Sequence, residues 1–268
     1  NNATTPNYLQ SGIPLTAQLV APTLGATGTV NHTTIDITAN GTVSFNDMTE
    51  SEVGVFKFVA TPPNYFAQTI PTGESINYGR FFPHHFAISG GGLANRSTSN
   101  CPASPAPIFT YLGETLNLAF TLSAQSQTNV LTQNYTGAFA KLFNYAGLNI
   151  KAIYSPTPPA ATPLRTGFTP SFSGVEPAIT FTNGIAGANV PVFIRRYSTT
   201  PIGPFNPTAF GAAPTDSDGV STAGLNLDTD IPASAVDRVQ IGTSTEMRYG
   251  RLRMDNVSGS VESPLSMP

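Results

Sequence analysis

Apolar and polar residues alternate in short runs along most of the chain, and a period of two residues predicts β-strands. Before residue 80 the clearest runs are residues 15–20, 34–38 and 53–60. The later predicted strands are residues 108–111, 116–124, 137–142, 148–154, 178–182, 189–195, 238–241 and 246–254. A helical period nowhere lasts beyond two turns, and only residues 138–145 leave room for a short helix. The pattern therefore predicts an all-β protein.

Turn-forming residues separate these runs. The pairs Asn40-Gly41 and Asn183-Gly184 are strong hairpin signals, because both residue types tolerate the left-handed backbone that a two-residue turn requires. The glycine run at residues 90–92 predicts a flexible loop that continues to residue 107, and residues 200–235 form a loop-rich tract. The frequent turns explain why glycine and proline are spread along the whole chain.

Two prolines indicate where sheets end. Proline has no N–H to donate to a ladder, so Pro83 predicts a seam between two groups of strands, and Pro191 predicts an edge strand. The aromatic residues around the first of these, Phe81, Phe82 and Phe86, are expected to be buried at the seam.

This seam divides the predicted fold into two tandem Ig-like β-sandwich domains, residues 14–80 and residues 81–268. The second domain is the larger and is loop-rich. Residues 1–13 are polar and interrupted by proline, and they predict an extended N-terminal arm. The total of 268 residues is enough for two hydrophobic cores.

Composition narrows the functional classes. Charged residues make up 10% of the chain, against about 25% in average proteins, which is typical of secreted and cell-surface β proteins. A net charge of -3 and only three lysines exclude a basic nucleic-acid surface and a polybasic membrane patch. No apolar run approaches the roughly 20 residues of a membrane span. Because the chain starts at Asn1, it is expected to be a processed mature chain or a fragment.

The single cysteine, Cys101, excludes a disulfide or a cysteine-based zinc site within the chain. We expect it to be a small buried apolar residue or an unpaired loop thiol.

An acidic segment is the candidate metal site. Asp216-Ser217-Asp218-Gly219 resembles the opening of a calcium loop, and Asp228 and Asp230 follow nearby. Leu227 occupies the position at which an EF-hand loop has glutamate. Calcium is therefore the one cofactor candidate, and a solvated Asx turn that joins two strands is the other interpretation.

Two further motifs favour structural roles. His84 and His85 are adjacent, so on a strand they point to opposite faces, and we expect one to be buried and one exposed. Two Tyr-Gly-Arg triplets combine a glycine that permits close backbone approach with an arginine that pairs with a carboxylate or clamps a ligand. The predicted structural seam comprises Tyr78, Gly79, Arg80, Pro83, Phe86, Tyr249, Gly250 and Arg251.

Catalytic motifs are scarce. There is no Gly-x-Ser-x-Gly elbow, the glycine run at residues 90–92 does not continue as a phosphate-binding loop, and three histidines leave few candidate bases. We therefore predict a protein that is not an enzyme. A pair of carboxylates, as glycoside hydrolysis requires, stays open among the 15 acidic residues.

Several motifs in order give the chain its resemblance to a family. They are residues 53–56, 78–86, 109–113, 122–125, 133–139, 216–220 and 248–252. In these residues the chain resembles MshQ-like proteins, large bacterial surface proteins associated with MSHA-type pilus gene clusters, whose C-terminal region is a domain of unknown function. The resemblance implies an extracellular, pilus-associated β protein and no particular reaction.

These observations predict a non-enzymatic extracellular structural or adhesive protein, either pilus-associated or the subunit of a surface filament. Its expected partners are other copies or other surface proteins, joined by strand addition through the arm at residues 1–13. The alternative is a carbohydrate- or surface-binding module, and a hydrolase is the third hypothesis. Candidate sugar platforms, in a chain without tryptophan, are Tyr65, Phe66, Tyr111, Tyr135 and Tyr145.

Overall fold

A computed structural model describes residues 4–95, 109–154, 162–163, 178–196, 199–229 and 237–250, and they form an all-β fold. Within these ranges no helix is long and apolar enough to cross a membrane. The strands are β1 (Gln10–Ala21), β2 (Thr34–Ile37), β3 (Gly54–Ala60), β4 (Gly73–Glu74), β5 (Tyr78–Phe81), β6 (His85–Ala94), β7 (Phe109–Tyr111), β8 (Leu116–Gln125), β9 (Lys151–Tyr154), β10 (Thr162–Pro163), β11 (Ile185–Val192), β12 (Phe205–Ala212), β13 (Val239–Gln240) and β14 (Thr245–Arg248).

The first sheet has the order β2-β1-β3-β4, with β5 also paired to β3. Strand β1 is long because its first half pairs with β2 and its second half with β3. Ile13 and Leu15 alternate toward the buried face, where Phe56 of β3 is fully buried.

Two further sheets share the main core in a β-sandwich-like arrangement. One has the order β11-β8-β6, and the other has the order β10-β9-β12-β14-β7, with β13 paired to β12. Alternate residues of β8 and β11 are buried, as the period-two pattern requires. They lie in one apolar cluster with Phe210 of β12 and Met247 of β14.

The clearest period-two runs are confirmed. The predicted strands at residues 15–20, 34–38, 53–60 and 116–124 correspond to β1, β2, β3 and β8. Strand β11 is the outermost strand of its sheet, which confirms the edge position predicted from Pro191.

Both Asn-Gly turns are also present. Asn40 and Asn183, each followed by glycine, adopt the positive φ angles of the left-handed region. After the first turn Thr42 forms an isolated bridge with Ala39, and residues 43–45 belong to no strand.

Residues 137–142 were predicted as a strand, and this is wrong. Gly137–Phe139 is a 3-10 turn, and a second such turn covers Tyr145–Leu148, near the place where a short helix was allowed. The physical reason lies in Tyr135, whose hydroxyl oxygen accepts the backbone N–H groups of Lys141 and Leu142. These donors are therefore not available to a sheet ladder.

Two further segment predictions are wrong, and a third, the loop-rich tract, is incomplete. The glycines at residues 90–92 belong to β6, as a bulge where the register with β8 shifts. Close backbone approach requires glycine there, since a Cβ on Gly91 would lie 2.7 Å from the backbone nitrogen of Gly242. The tract at residues 200–235 contains β12, whose Pro207 and Gly211 resemble turn residues. Residues 178–182 form isolated bridges only.

The N-terminal arm is shorter in the structure than the predicted residues 1–13. Residues 10–13 belong to β1, because Ile13 is buried and pairs in register with Ile35 of β2.

The seam around Pro83 separates two sheets, since β5 ends at Phe81 and β6 begins at His85. Pro83 and Phe86 are buried there. Phe82 is 57% exposed, so the expectation that it is buried is wrong. Val53, at the entry to β3, packs in the same cluster as Phe86.

Candidate functional site: the junction between the first sheet and the sandwich

The segments that join the first sheet to the sandwich carry several buried polar side chains, among them Glu52, Asn134 and Asp216. We call this contact region the junction and define it by Glu52, Arg80, Asn134, Tyr135, Asp216 and Asp218. These residues belong to four separate stretches of sequence, and the fold brings them together in one hydrogen-bonded network.

Glu52 is the hydrogen-bond acceptor at one end of the junction. Its Oε1 accepts the backbone N–H of Gln133 at 2.7 Å, and its Oε2 accepts those of Asn134 and Val53, each at 3.1 Å. The side chain is 7% exposed. A buried carboxylate with three N–H donors is well satisfied, and it joins the chain before β3 to the loop after β8.

Asn134 continues the contact from the other side. Its amide group donates to the carbonyl oxygens of Ala26 at 2.8 Å and Val53 at 2.9 Å, and its Oδ1 accepts the N–H of Ala26 at 2.8 Å. Gly25 leaves room for this amide, because a Cβ there would lie 2.5 Å from Oδ1.

Tyr135 connects the next part of the network. Its hydroxyl donates to Oδ2 of Asp216 at 2.7 Å while accepting the N–H groups of Lys141 and Leu142 at 3.0 Å. Burial, with the hydrogen bond to Asp216 second, raises the pKa of Tyr135 well above its usual range. The phenol therefore stays protonated and keeps its role as a donor.

Asp216 and Asp218 close the network. Oδ1 of Asp216 accepts the backbone N–H groups of Asp218 at 2.9 Å and Val220 at 3.0 Å, which is an Asx turn. Asp218 forms an ion pair with Arg80, whose guanidinium also reaches the carbonyl oxygen of Phe139 at 3.4 Å.

The candidate calcium ligands are only partly brought together. Asp216 already accepts three hydrogen bonds and Asp218 faces Arg80. Asp228 lies in the segment that leads away from β12, and Asp230 lies outside the described residues. Among the residues that the structure describes, no three His, Cys, Asp or Glu side chains form a group that could hold a metal ion. Calcium stays a prediction.

The histidine pair lies where β6 begins. His85 is buried and His84 is exposed, in line with the alternation of a strand. Their Nδ1 atoms are 3.0 Å apart, and Nε2 of His85 lies 3.1 Å from Oε1 of Gln125.

The remaining residues of the first predicted triplet support the sheet. The ring of Tyr78 lies 5.6 Å from that of Phe58, and Gly79 has a positive φ angle of 118°. A Cβ on Gly79 would lie 2.7 Å from the carbonyl oxygen of Gly54, so a larger residue would separate β5 from β3.

The second triplet contacts a different part of the sandwich. The ring of Tyr249 lies beneath the guanidinium of Arg196 at 5.0 Å, and its hydroxyl donates to the carbonyl oxygen of Thr199 at 3.2 Å. A Cβ on Gly250 would lie 3.0 Å from the ring of Tyr111. Arg251 and Cys101 lie outside the described residues.

A groove opens beside the junction. One cavity of about 230 Å³ is lined by residues that include Glu50, Phe82 and His84, and a second, of about 210 Å³, shares Glu50, Ser126 and Gln127 with it. Burial raises the pKa of Glu50 to about 7, and the negative charge of Glu52 adds a smaller effect, while backbone N–H groups oppose both. Oε2 of Glu50 is buried without a hydrogen-bond partner.

This carboxyl predicts a dependence of stability on pH. Folded Glu50 keeps its proton up to about pH 7, whereas the unfolded chain releases it near the ordinary value of 4.5. Ionisation therefore costs more in the folded state, and Glu50 should lower the free energy of unfolding as the pH rises from about 4.5 to 7. We expect Glu50→Gln to be more stable than the wild type at pH 8 and nearly equal at pH 4.

Urea unfolding of both proteins from pH 4 to pH 8 measures this difference. The difference between the two proteins isolates the contribution of Glu50, including the effect on it of the neighbouring Glu52 charge. Glu74→Gln, which changes an exposed carboxylate paired with Lys57, is the matched control. The prediction is contradicted if the free energies of unfolding of the wild type and of Glu50→Gln differ by the same amount at every pH in this range.

The predicted seam residues Arg80, Pro83 and Phe86 thus lie at or beside the junction. Glu52 and Asn134 were not predicted as site residues, and Tyr135 was predicted only as an exposed sugar platform, whereas it is buried. A buried acceptor of backbone N–H groups has no sequence signature of its own.

Comparison with known proteins gives one match. A family model described as DUF6701, third domain, matches residues 52–240, which is more than half of the chain. The match begins at the junction residue Glu52 and crosses the position near residue 80 where the sequence predicted a domain boundary. No curated protein and no solved structure matches the chain.

Proposed function

Since this chain belongs to the DUF6701 family, whose third domain it contains, we propose that it is a non-enzymatic structural or adhesive protein of the bacterial cell surface. In this proposal it is an MshQ-like module that acts outside the cell. It is either pilus-associated or the repeating subunit of a surface filament.

One observation carries the proposal: the buried ionisable groups of the junction are used for internal contacts. Glu52 and Asp216 each accept three hydrogen bonds, and Arg80 pairs with Asp218. A group held in this way cannot exchange protons with a substrate unless the junction opens. The network instead fixes the first sheet against the sandwich, which suits a protein that transmits force or presents surfaces.

The proposed assembly uses strand addition. Strand β11 is the outermost strand of its sheet and pairs with β8, and within the described residues its other backbone pairing is the bridge between Ile185, at its start, and Thr182. A segment from a neighbouring copy could add to its free edge. Because residues 10–13 belong to β1 and residues 7 and 8 contact Tyr65, the donor segment in this proposal is residues 1–6.

Electron microscopy of material purified from the source cells without refolding tests the proposal, together with protease treatment of intact cells. Protein that the protease removes from the cell surface supports it, and ordered filaments that vanish when residues 1–6 are deleted support the subunit version. Discrete particles at the surface favour a module of a larger adhesin. Recovery of the protein only from the cytoplasm would overturn the proposal.

A second candidate, a carbohydrate- or surface-binding module, is favoured by one exposed aromatic side chain. Tyr135 and Tyr145 are buried and so are removed from the predicted sugar platforms. Phe66, in contrast, is 85% exposed.

The hydrolase hypothesis depends on two opposed carboxylates. Glu50 and Glu52 line the same cavity, and burial raises the pKa of Glu50 to about 7. However, a nucleophile or base at Glu52 would have to give up three hydrogen bonds. We expect no release of chromophore from aryl glycosides, and activity that disappears in Glu50→Gln would support the hydrolase instead.

Calcium is the remaining cofactor proposal, at Asp216, Asp218, Asp228 and Asp230. The melting temperature with calcium and with a chelator tests it directly. A rise with calcium that is lost in Asp228→Asn would support a bound ion, and equal values would remove the proposal.

A further inference from the structure

A tight turn at the end of the first sheet displays an aromatic residue to solvent. The backbone N–H of Tyr65 donates to the carbonyl of Gln68, and the N–H of Gln68 donates to the carbonyl of Tyr65, both at 2.9 Å. The two residues between them, Phe66 and Ala67, have φ angles of 48° and 60°. This is a two-residue hairpin turn with both central residues in the left-handed region.

The two central residues of this turn differ in type from those of the comparable turns in the chain. At two other turns with positive φ at both central positions, the chain uses Asn40-Gly41 and Asn183-Gly184. These residue types tolerate the left-handed region, whereas a bulky residue such as phenylalanine is an outlier there. The pair Phe66-Ala67 therefore carries a backbone strain that Asn-Gly would remove.

Burial does not compensate for this strain, because Phe66 is 85% exposed. Strained positions that persist without a packing reason are concentrated at functional sites. The conformation is also well supported from behind. The ring of Tyr65 lies 4.5 Å from that of Phe66, and the ring of Tyr8 lies 5.0 Å from that of Tyr65.

Hydrogen bonds hold this support in place. The hydroxyl of Tyr65 donates to the carbonyl oxygen of Asn7 at 3.4 Å, and the side-chain amide of Gln10 donates to that of Pro63 at 2.9 Å. The turn is thus fixed to the segment that leads into β1, and its exposed ring is pre-organised.

The surroundings of the ring indicate what it contacts. Residues 61–72 contain no charged side chain, so nothing in them attracts an anionic or cationic partner. The exposed amides of Asn64 and Gln68 flank the aromatic pair and would lose hydrogen bonds with water in a lipid phase. A single ring between two amides fits one sugar ring, whereas a protein interface needs a much larger contact area.

We propose that the turn Tyr65–Gln68 is a binding site for a neutral glycan, with the ring of Phe66 against the face of a sugar and the amides of Asn64 and Gln68 on its hydroxyl groups. The inference rests on the surface-binding candidate described above. It adds an adhesive contact to the structural role of the junction and does not depend on filament formation.

The absence of tryptophan from the chain provides a direct reporter. In Phe66→Trp the only indole stands at the tip of the turn. We expect saturable changes in its fluorescence with neutral oligosaccharides of glucose, galactose and N-acetylhexosamines, for at least one member of the panel. Phe143→Trp, which replaces a phenylalanine that is also exposed elsewhere on the surface, is the matched control and should not respond.

A double variant separates binding from folding. Phe66→Asn with Ala67→Gly restores the preferred turn sequence, so the melting temperature should rise while affinity for the responding glycan falls at least tenfold. Loss of binding together with a lower melting temperature would indicate a structural role and overturn the proposal.

Three other outcomes would also overturn it. They are the silence of the whole panel, unchanged glycan binding by the double variant, and a blue shift of Phe66→Trp with phosphatidylcholine vesicles in place of glycans. None of them bears on whether the protein is found at the cell surface, so the failure of this site and the failure of the proposed function are distinguishable.

Discussion

Replacing Glu52 by alanine is expected to lower the free energy of unfolding by about 4 kcal/mol, the largest effect of any single change proposed for this protein. The carboxylate accepts the N–H groups of Gln133, Asn134 and Val53 in a site where it is 7% exposed. Its removal leaves buried donors without acceptors, and each such donor costs about 1–3 kcal/mol. Some of this cost is recovered if water enters from the neighbouring groove.

Urea unfolding at pH 7 measures the effect, with Glu74→Ala as the control. Glu74 pairs with Lys57 at the surface, where an ion pair contributes about 0–1 kcal/mol. If Glu52→Ala lowered the free energy of unfolding no more than Glu74→Ala does, the junction would not be the contact that holds the two groups of strands together.

The second large effect is expected for Tyr135→Phe, at about 3 kcal/mol. The change keeps the buried ring and removes one oxygen that makes three hydrogen bonds, to Asp216, Lys141 and Leu142. The backbone N–H groups of residues 141 and 142 then lose their acceptor, and the segment after the 3-10 turn should lose protection against hydrogen exchange. This segment should open locally more often, even while the rest of the protein stays folded.

Equilibrium unfolding and amide exchange of residues 139–143 together check this prediction. Tyr78→Phe removes a hydroxyl from a ring that is 48% exposed and should change stability by less than about 0.5 kcal/mol. Equal effects of the two substitutions would show that the Tyr135 hydroxyl is not the centre of the network.

Local patterns predicted the strands and failed for the junction. Strand β8 was found because five of its ten residues alternate onto one buried face, and this is visible in any window of the sequence. Strand β12 was missed because Pro207 and Gly211 resemble turn residues, whereas the tertiary structure places small side chains where strands pack closely.

The contacts of the junction could not be derived from local sequence at all. Glu52 and Gln133 are separated by 81 residues, and so are Tyr135 and Asp216. The acidic motif that contains Asp216 and Asp218 predicted either calcium or an Asx turn. In the folded chain Asp216 makes the turn, and the positive charge beside Asp218 is that of Arg80.

The pairing of β1 with β3 has a practical consequence for the design of fragments of this protein. The family match starts at residue 52, after β1 and β2 and just before β3. A fragment cut at that position would leave β3 with an unpaired edge over the residues that β1 covers, and Leu19 would no longer lie opposite Phe56. Exposed strand edges of this kind recruit other chains and cause aggregation. The segment of this chain that the family model matches is therefore shorter than the unit that folds, and expression trials should begin upstream of Gln10.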